Sequence, residues 1–263
     1  MKEIIRRIKP ARPVLLFLDY DGTLVSIQKS PGLALLPPSR RRVLKRLSKS
    51  CFVGIVSGRP LAEIKKLVTL REIAYVGNHG LEISYKQRHW VHPDARGVRP
   101  LLRGALEKIK PQVKGFAGVL IEDKGLTASI HYRLAEPASR RPLRKIVRKE
   151  VELGSGGLKM TEGKRVIEIK PSLAWDKGEG VRRLIGWVDY KRNPLKIYIG
   201  DDKTDEDAFK MLNRSEMNGL TVLVGRKTES HARYRLADVG QVWTFLEALL
   251  PLTAAAEGSR LTI

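Results

Sequence analysis

Two aspartates two residues apart, Asp19 and Asp21, close the apolar run of the segment LLFLDYDGTL, residues 15–24. One carboxylate of such a pair can serve as a nucleophile and the other as an acid and base, and together they attract a divalent cation. Further along lie Ser57 in VSGR, Lys177 in WDKG, and Asp201 with Asp202 in IGDDKTDEDAF. A serine hydroxyl and a lysine serve anionic oxygens, and the later aspartates extend a cation site. Each feature alone has an ordinary reading: an Asp-Gly turn, a Ser-Gly turn, a lysine opening a helix, an acidic pair after a strand. Taken jointly and in this order they form a reactive constellation.

The elements around them explain how they would meet. Val14–Leu18 reads as a buried strand, because a short apolar run ends at a turn signal. Ser39 is expected to cap a helix with core positions Val43, Leu44 and Leu47. Phe52–Val56 is a second strand, and Pro60 opens a helix whose apolar face is Leu61, Ile64, Leu67 and Val68. Ala74–Val76 is a third strand, followed by Gly77-Asn78-His79-Gly80. Strands alternating with helices argue for a doubly wound parallel sheet, and ligands in such sheets bind at the carboxyl ends of the strands.

The middle has another rhythm. A helix near Arg99–Lys110 precedes strands Val119–Asp123 and Leu126–Tyr132, with a hairpin turn at Lys124-Gly125. A helix over Leu143–Val151 precedes strands Leu158–Thr161 and Arg165–Ile169. This repeated αββ order predicts an α+β domain inserted into the parallel one, with boundaries in the stretches His92–Pro100 and Lys170–Ser172. The expected division is residues 1–92 and 173–263 for the core and 93–172 for the insert. The parallel pattern resumes with a helix from Lys177, a strand over Lys196–Ile199, a helix over Asp205–Leu212, a strand over Leu220–Val224 and a helix over Val242–Leu250.

Composition narrows the class. The 263 residues carry Lys+Arg 50 against Asp+Glu 28, a formal charge of +22. Such a field draws anions, either a phosphorylated metabolite or nucleic acid. The basic clusters Arg40–Arg42 and Arg140–Lys149 have helical spacing and read as solvated helix faces. A nucleic-acid-binding protein is the reading from a different class, but it leaves the carboxylates unexplained. The five histidines lack metal-ligand spacing, so a zinc site is not expected. The single cysteine, Cys51, reads as a buried thiol. No apolar run is long enough to span a bilayer and no leader is evident, so a cytoplasmic enzyme without a membrane partner is expected, with nothing pointing beyond a monomer.

The motifs LDYDGTL (18–24), VSGR (56–59), GNHG (77–80), Glu122 and Lys124 with His131–Arg133, GKRVIE (163–168), WDKG (175–178) and GDDKTDEDAF (200–209) resemble the haloacid dehalogenase superfamily of phosphatases. Within it they are similar to the trehalose-6-phosphate phosphatases. The resemblance runs over nearly the whole chain and implies a Rossmann-like core with an inserted cap. It implies that Asp19 forms an aspartyl-phosphate and that Asp21 acts as acid and then base. Mg²⁺ would lie between the Asp19 carboxylate, the Asp21 carbonyl and Asp201. Asp202 would hold a metal-bound water or orient Lys177, and Asp205 would support the metal shell. Ser57, Lys177 and the N–H groups of the Asp19–Gly22 turn would stabilise phosphate oxygens. Gly22, Gly58, Arg59, Asn78 and His79 are assigned to the substrate side, as are Glu122, Lys124, Arg133, Lys164 and Glu168 in the cap. Without the resemblance, the cap charges read as the wet face of an antiparallel sheet. Another sugar phosphate, such as those of sucrose, glucosylglycerol or mannosylglycerate, is the alternative substrate.

Overall fold

The computed structural model describes residues 1–8, 12–28, 31–154, 156–163, 165–190, 193–226 and 229–254. In chain order the elements begin with α1 (Lys2–Arg7), β1 (Val14–Asp19), α2 (Pro38–Ser50), β2 (Phe52–Val56), α3 (Leu61–Val68) and β3 (Ala74–Gly77). A strand pair follows, β4 (Glu82–Tyr85) and β5 (Arg88–Val91). Next come α4 (Pro93–Val113), β6 (Leu120–Asp123), β7 (Ala128–His131), α5 (Pro137–Glu152), β8 (Leu158–Gly163) and β9 (Val166–Pro171). The chain ends with α6 (Lys177–Ile185), β10 (Leu195–Gly200), α7 (Asp205–Leu212), β11 (Gly219–Val224), β12 (Tyr234–Leu236) and α8 (Val239–Ala254). These elements form two compact units, one of Met1–Trp90 with Trp175–Ile263 and the other of Val91–Ala174.

The first unit holds an eight-stranded sheet of order β12-β11-β10-β1-β2-β3-β4-β5. Pairing is parallel from β12 to β3 and turns antiparallel between β3 and β4. Strand periodicity sends alternate residues of β1 into different helix layers. Leu16 and Leu18 pack with Leu44 and Leu47 of α2, Ile64 of α3 and Leu246 of α8. Leu15 and Phe17 pack with Val181 and Leu184 of α6 and Phe209 of α7. Burial on both faces is why β1 reads as an unbroken apolar run. Where the chain leaves and re-enters this unit, the rings of Trp90 and Trp175 lie 5.2 Å apart. The Arg183 guanidinium sits 4.1 Å over Trp90.

The second unit is a four-stranded antiparallel sheet, β6-β7-β9-β8, with α4 and α5 over one face. Ile130, Ile167 and Ile169 bury against Leu102, Leu106, Leu143 and Val147 of those helices.

Three expectations change. Ser39 does not cap α2: that helix begins at Pro38, whose fixed φ suits a first helical position, and no side chain caps it. The helix expected near Arg99–Lys110 begins earlier, at Pro93, and its buried stripe from Ala95 to Val113 carries it past Pro100. The strands β4 and β5 occupy a stretch for which no element was expected. Among the described residues no helix is long and apolar enough to cross a membrane. Cys51 is buried.

Candidate active site

β1 lies between β2 and β10, and the connections run outward from it in opposite directions. Its carboxyl end is therefore the topological switch point of the sheet, where a crevice opens for ligands. Asp19 ends β1 opposite Val56 of β2. Ser57 follows β2, and its N–H donates to the Val76 carbonyl at 2.8 Å. Asp201 and Asp202 follow β10 directly. Lys177 opens α6, whose N-cap Asp176 accepts from the Glu179 N–H at 3.0 Å.

Lys177 binds these ends together. Its ammonium, 2% exposed, donates to Asp19 Oδ1 and to Asp205 Oδ1, each at 2.8 Å. It stands 3.9 Å from Asp202 Oδ1. Asp205 is saturated: Oδ1 also accepts from the Tyr198 hydroxyl at 2.8 Å, and Oδ2 accepts from the N–H groups of Asp201 and Asp202 at 2.9 and 3.0 Å. Asp202 lies just before α7, its Oδ1 accepting from the N–H groups of Thr204 and Asp205 and from the Thr204 hydroxyl. Asp19 differs, because its Oδ2 is buried and has no hydrogen-bond partner among the described residues.

Asp19, Asp201 and Asp205 bring carboxylate oxygens within 4.8 Å of one another, the one such group among the described residues. Burial, joined by repulsion from Asp205 and Asp201, pushes the Asp19 carboxyl up against the pull of Lys177. Burial pulls the Lys177 ammonium down, but Asp19 and Asp205 outweigh it and hold the group charged. Burial acts to raise the Asp202 carboxyl as well, and there Lys177 and the Thr204 hydrogen bonds win and hold it low. One ammonium thus faces an excess of carboxylate charge, and a divalent cation fits this donor set.

The turn after β1 is built around Gly22. Its φ is +93°, and a Cβ there would collide with the Asp201 carboxylate, so only glycine lets the two strand ends approach. Asp21 turns to Arg59, which donates from Nε at 2.6 Å and from a terminal nitrogen at 2.8 Å. The other terminal nitrogen of Arg59 bonds to Glu63. Ser57 is buried, and its Oγ accepts from the Arg59 N–H at 3.1 Å. Gly58 lies against the His79 ring. Asn78 and His79 both adopt left-handed backbone, and the Asn78 amide donates to Glu82 at 2.5 Å. Asn78 is buried, and its backbone N–H donates to the Arg59 carbonyl at 2.8 Å. Trp175 donates to the Gly80 carbonyl at 2.8 Å, and Tyr20 points into the core with its hydroxyl on the Ala34 carbonyl at 2.7 Å.

The second unit gathers its polar residues in a cross-strand row. Register aligns Glu122, Ser129, Glu168 and Thr161 on four adjacent strands. Ser129 donates to Glu168 at 2.8 Å, and His131 pairs with Glu122 at 2.9 Å. Lys124 lies 4.0 Å from Glu122 and 3.8 Å from Glu168, its side chain 7% exposed. These charges form a joined network rather than a solvated face. Arg133 is exposed beyond the end of β7, and Lys164 lies outside the described residues. Ser129, His131 and Glu82 were not expected; the first two lie two residues apart on β7, a spacing that puts them on one face.

The trehalose-phosphatase family description matches residues 17–240. Trehalose-phosphate phosphatase B of Arabidopsis thaliana is 32% identical over 94% of this chain and 69% of its own length. This chain belongs to the trehalose-phosphatase family. Trehalose 6-phosphate phosphatase RA3 of Zea mays is likewise 32% identical, over 90% of this chain and 70% of its own. A crystal structure of a trehalose-6-phosphate phosphatase related protein superposes with a TM-score of 0.80 at 26% identity, covering 91% of this chain and 98% of that one. The C-terminal domain of the C. albicans trehalose-6-phosphate phosphatase gives 0.81 at 25% identity, over 95% and 96%. This trehalose-phosphatase family member is accordingly a phosphatase with a haloacid dehalogenase core and cap, as its motifs imply, and divalent-metal use is general in that class.

Proposed function

We propose that this chain hydrolyses trehalose 6-phosphate to trehalose and inorganic phosphate, with Mg²⁺ as its metal. The observation that carries the chemistry is the Asp19 carboxylate: Lys177 holds Oδ1 at 2.8 Å, while Oδ2 is buried and unengaged by the described residues. Asp19 Oδ2 attacks the phosphorus, the bond from phosphorus to the sugar oxygen breaks, and Asp21 gives its proton to that oxygen. Asp21 then takes a proton from the water that attacks the aspartyl-phosphate, and the bond from phosphorus to Oδ2 breaks. Ser57, Lys177 and N–H groups of the turn after Asp19 serve the phosphate oxygens, that of Gly22 being already given to the Val25 carbonyl at 2.7 Å. The Asp19 and Asp201 carboxylates and the Asp21 carbonyl are the groups that would hold Mg²⁺. When bound it offsets the charge of phosphate and carboxylates. Asp205, its carboxylate saturated by hydrogen bonds, supports this set from behind, and Asp202 stands beside Lys177.

The network of Glu122, Lys124 and Glu168, with Arg133 and Lys164 beside it in sequence, offers acceptors and donors for sugar hydroxyls. His79 belongs to the phosphate side. The reading is completed by residues 93–172 as a specificity cap, a cytoplasmic location and a monomeric state.

The test is phosphate release from a panel of sugar phosphates, with Mg²⁺ and with EDTA, beside Asp19→Asn. Metal-dependent turnover selective for trehalose 6-phosphate and lost in the variant supports the reading. Preference for sucrose phosphate or another member of the panel replaces the substrate and keeps the chemistry. Absence of release from every member overturns it.

A further inference from the structure

The Arg59 guanidinium grips both oxygens of the Asp21 carboxylate, Nε to Oδ2 at 2.6 Å and a terminal nitrogen to Oδ1 at 2.8 Å. A two-point fork of this kind fixes the plane of a carboxylate as well as its position, which a single hydrogen bond does not. Arg59 is itself fixed on every side. Its remaining terminal nitrogen bonds to Glu63 in the first turn of α3. Its guanidinium lies 5.7 Å over the Tyr20 ring, and Tyr20 is anchored through its hydroxyl to the Ala34 carbonyl. Its own N–H donates to Ser57 Oγ, and its carbonyl accepts from the Asn78 N–H at 2.8 Å. The guanidinium side chain is 7% exposed, whereas Asp21 keeps 36% of its side chain exposed. Buried arginine and half-open carboxylate describe a holder and the group it presents.

The geometry points to Arg59 as the positioning residue for Asp21: it sets the carboxylate so that proton transfer to the leaving oxygen takes place in one orientation, and it does so without touching substrate. This deepens the proposed function and rests on Asp21 being its acid and base. It departs from the sequence assignment of Arg59 to the substrate. Glu63 is the third member, holding the arginine from the side away from Asp21.

The inference makes a demand that a sugar contact does not. Aryl phosphates differing only in ring substituents present the same shape with leaving groups of graded basicity. A positioned acid matters most for the most basic leaving group and hardly at all for p-nitrophenolate. kcat/KM is the quantity to follow, since it reports only the steps through the first phosphoryl transfer. Wild type, Arg59→Ala, Arg59→Lys, Asp21→Asn and the Arg59→Ala/Asp21→Asn double variant are compared in saturating Mg²⁺. In Arg59→Ala, kcat/KM is expected to fall roughly 10- to 100-fold for the poorest leaving group and less than about threefold for p-nitrophenyl phosphate. Arg59→Lys, which keeps the charge and loses the fork, falls between. Adding Arg59→Ala to Asp21→Asn changes nothing further, because a residue acting only through Asp21 has no effect once Asp21 cannot transfer a proton. Equal loss across the aryl series, or full loss again in the Asp21→Asn background, overturns the inference. A loss confined to KM for the sugar phosphate, with the aryl series unmoved, restores Arg59 to the substrate. Because the aryl slopes do not involve trehalose, they stay readable if trehalose 6-phosphate proves not to be the substrate.

Discussion

Tyr198 donates a hydrogen bond to Asp205 at 2.8 Å, and both side chains are buried. The pair joins β10 to the first residue of the helix that follows it, directly behind Lys177. Tyr198→Phe keeps the ring, which packs edge-on against Phe209, and deletes only the donor. The expected cost is about 1–2 kcal/mol, seen as a melting temperature lower by roughly 2–8 °C. Phosphatase activity below the transition should survive. An unchanged melting temperature would show that Asp205 is held well enough by its other three donors.

Lys177→Met should be far worse. It removes the ammonium between Asp19 and Asp205 and leaves buried carboxylates without their cation. Breaking a buried ion pair in this way costs about 3–5 kcal/mol. Loss of phosphate release together with a large fall in the denaturation midpoint is the expected pair of results.

Gly22→Ala tests the approach of the two strand ends. The new methyl would need a left-handed backbone and would meet the Asp201 carboxylate. The prediction is a stability loss above about 1 kcal/mol and a displaced Asp201. Titrating activity against Mg²⁺ checks it: the half-saturating concentration should rise at least about tenfold, as loss of about 1.4 kcal/mol in cation binding requires.

Metal binding should register in folding as well as in turnover. A cation at one hundred times its dissociation constant adds about 2.7 kcal/mol to a folded state that alone binds it. Mg²⁺ should therefore raise the melting temperature of wild type, and EDTA should reverse the rise. In Asp201→Asn the rise should shrink or vanish.

Burial pushes the Cys51 thiol up to about 12. At pH 8 it should resist an aromatic disulfide reagent until guanidinium unfolds the chain. The folded value lies above the unfolded one, so the stability it contributes is whole below about pH 8.5 and is lost as pH rises toward about 12, at up to 1.4 kcal/mol per unit. Denaturation at graded alkaline pH should show wild type losing more than Cys51→Ala over that window.

Much of this was legible in the sequence because it is local. The run from Val14 to Asp19 is buried on both faces and therefore uniformly apolar, and the helix opening at Asp205 announces itself with three acidic residues in its first turn. What failed was what depends on distant partners. The strands Glu82–Tyr85 and Arg88–Val91 mix charge with aromatic residues, and they exist because the first has an edge strand to pair with. Ser39 looked like a cap only because its type suits one; the proline before it already had the backbone angle of a helix start. The fork between Arg59 and Asp21 spans 38 residues, and no spacing rule anticipates it. The row from Glu122 to Thr161 needed the strand register, which the alternation of residue types does not set by itself.

The tilted, touching rings of Trp90 and Trp175 mark the place where the chain departs from the sheet unit and comes back to it. Two chain ends held this near can be joined by a short peptide. These two positions are thus a splice point: the intervening segment can be exchanged for that of a relative, and chimaeras cut here would reveal whether selectivity travels with it.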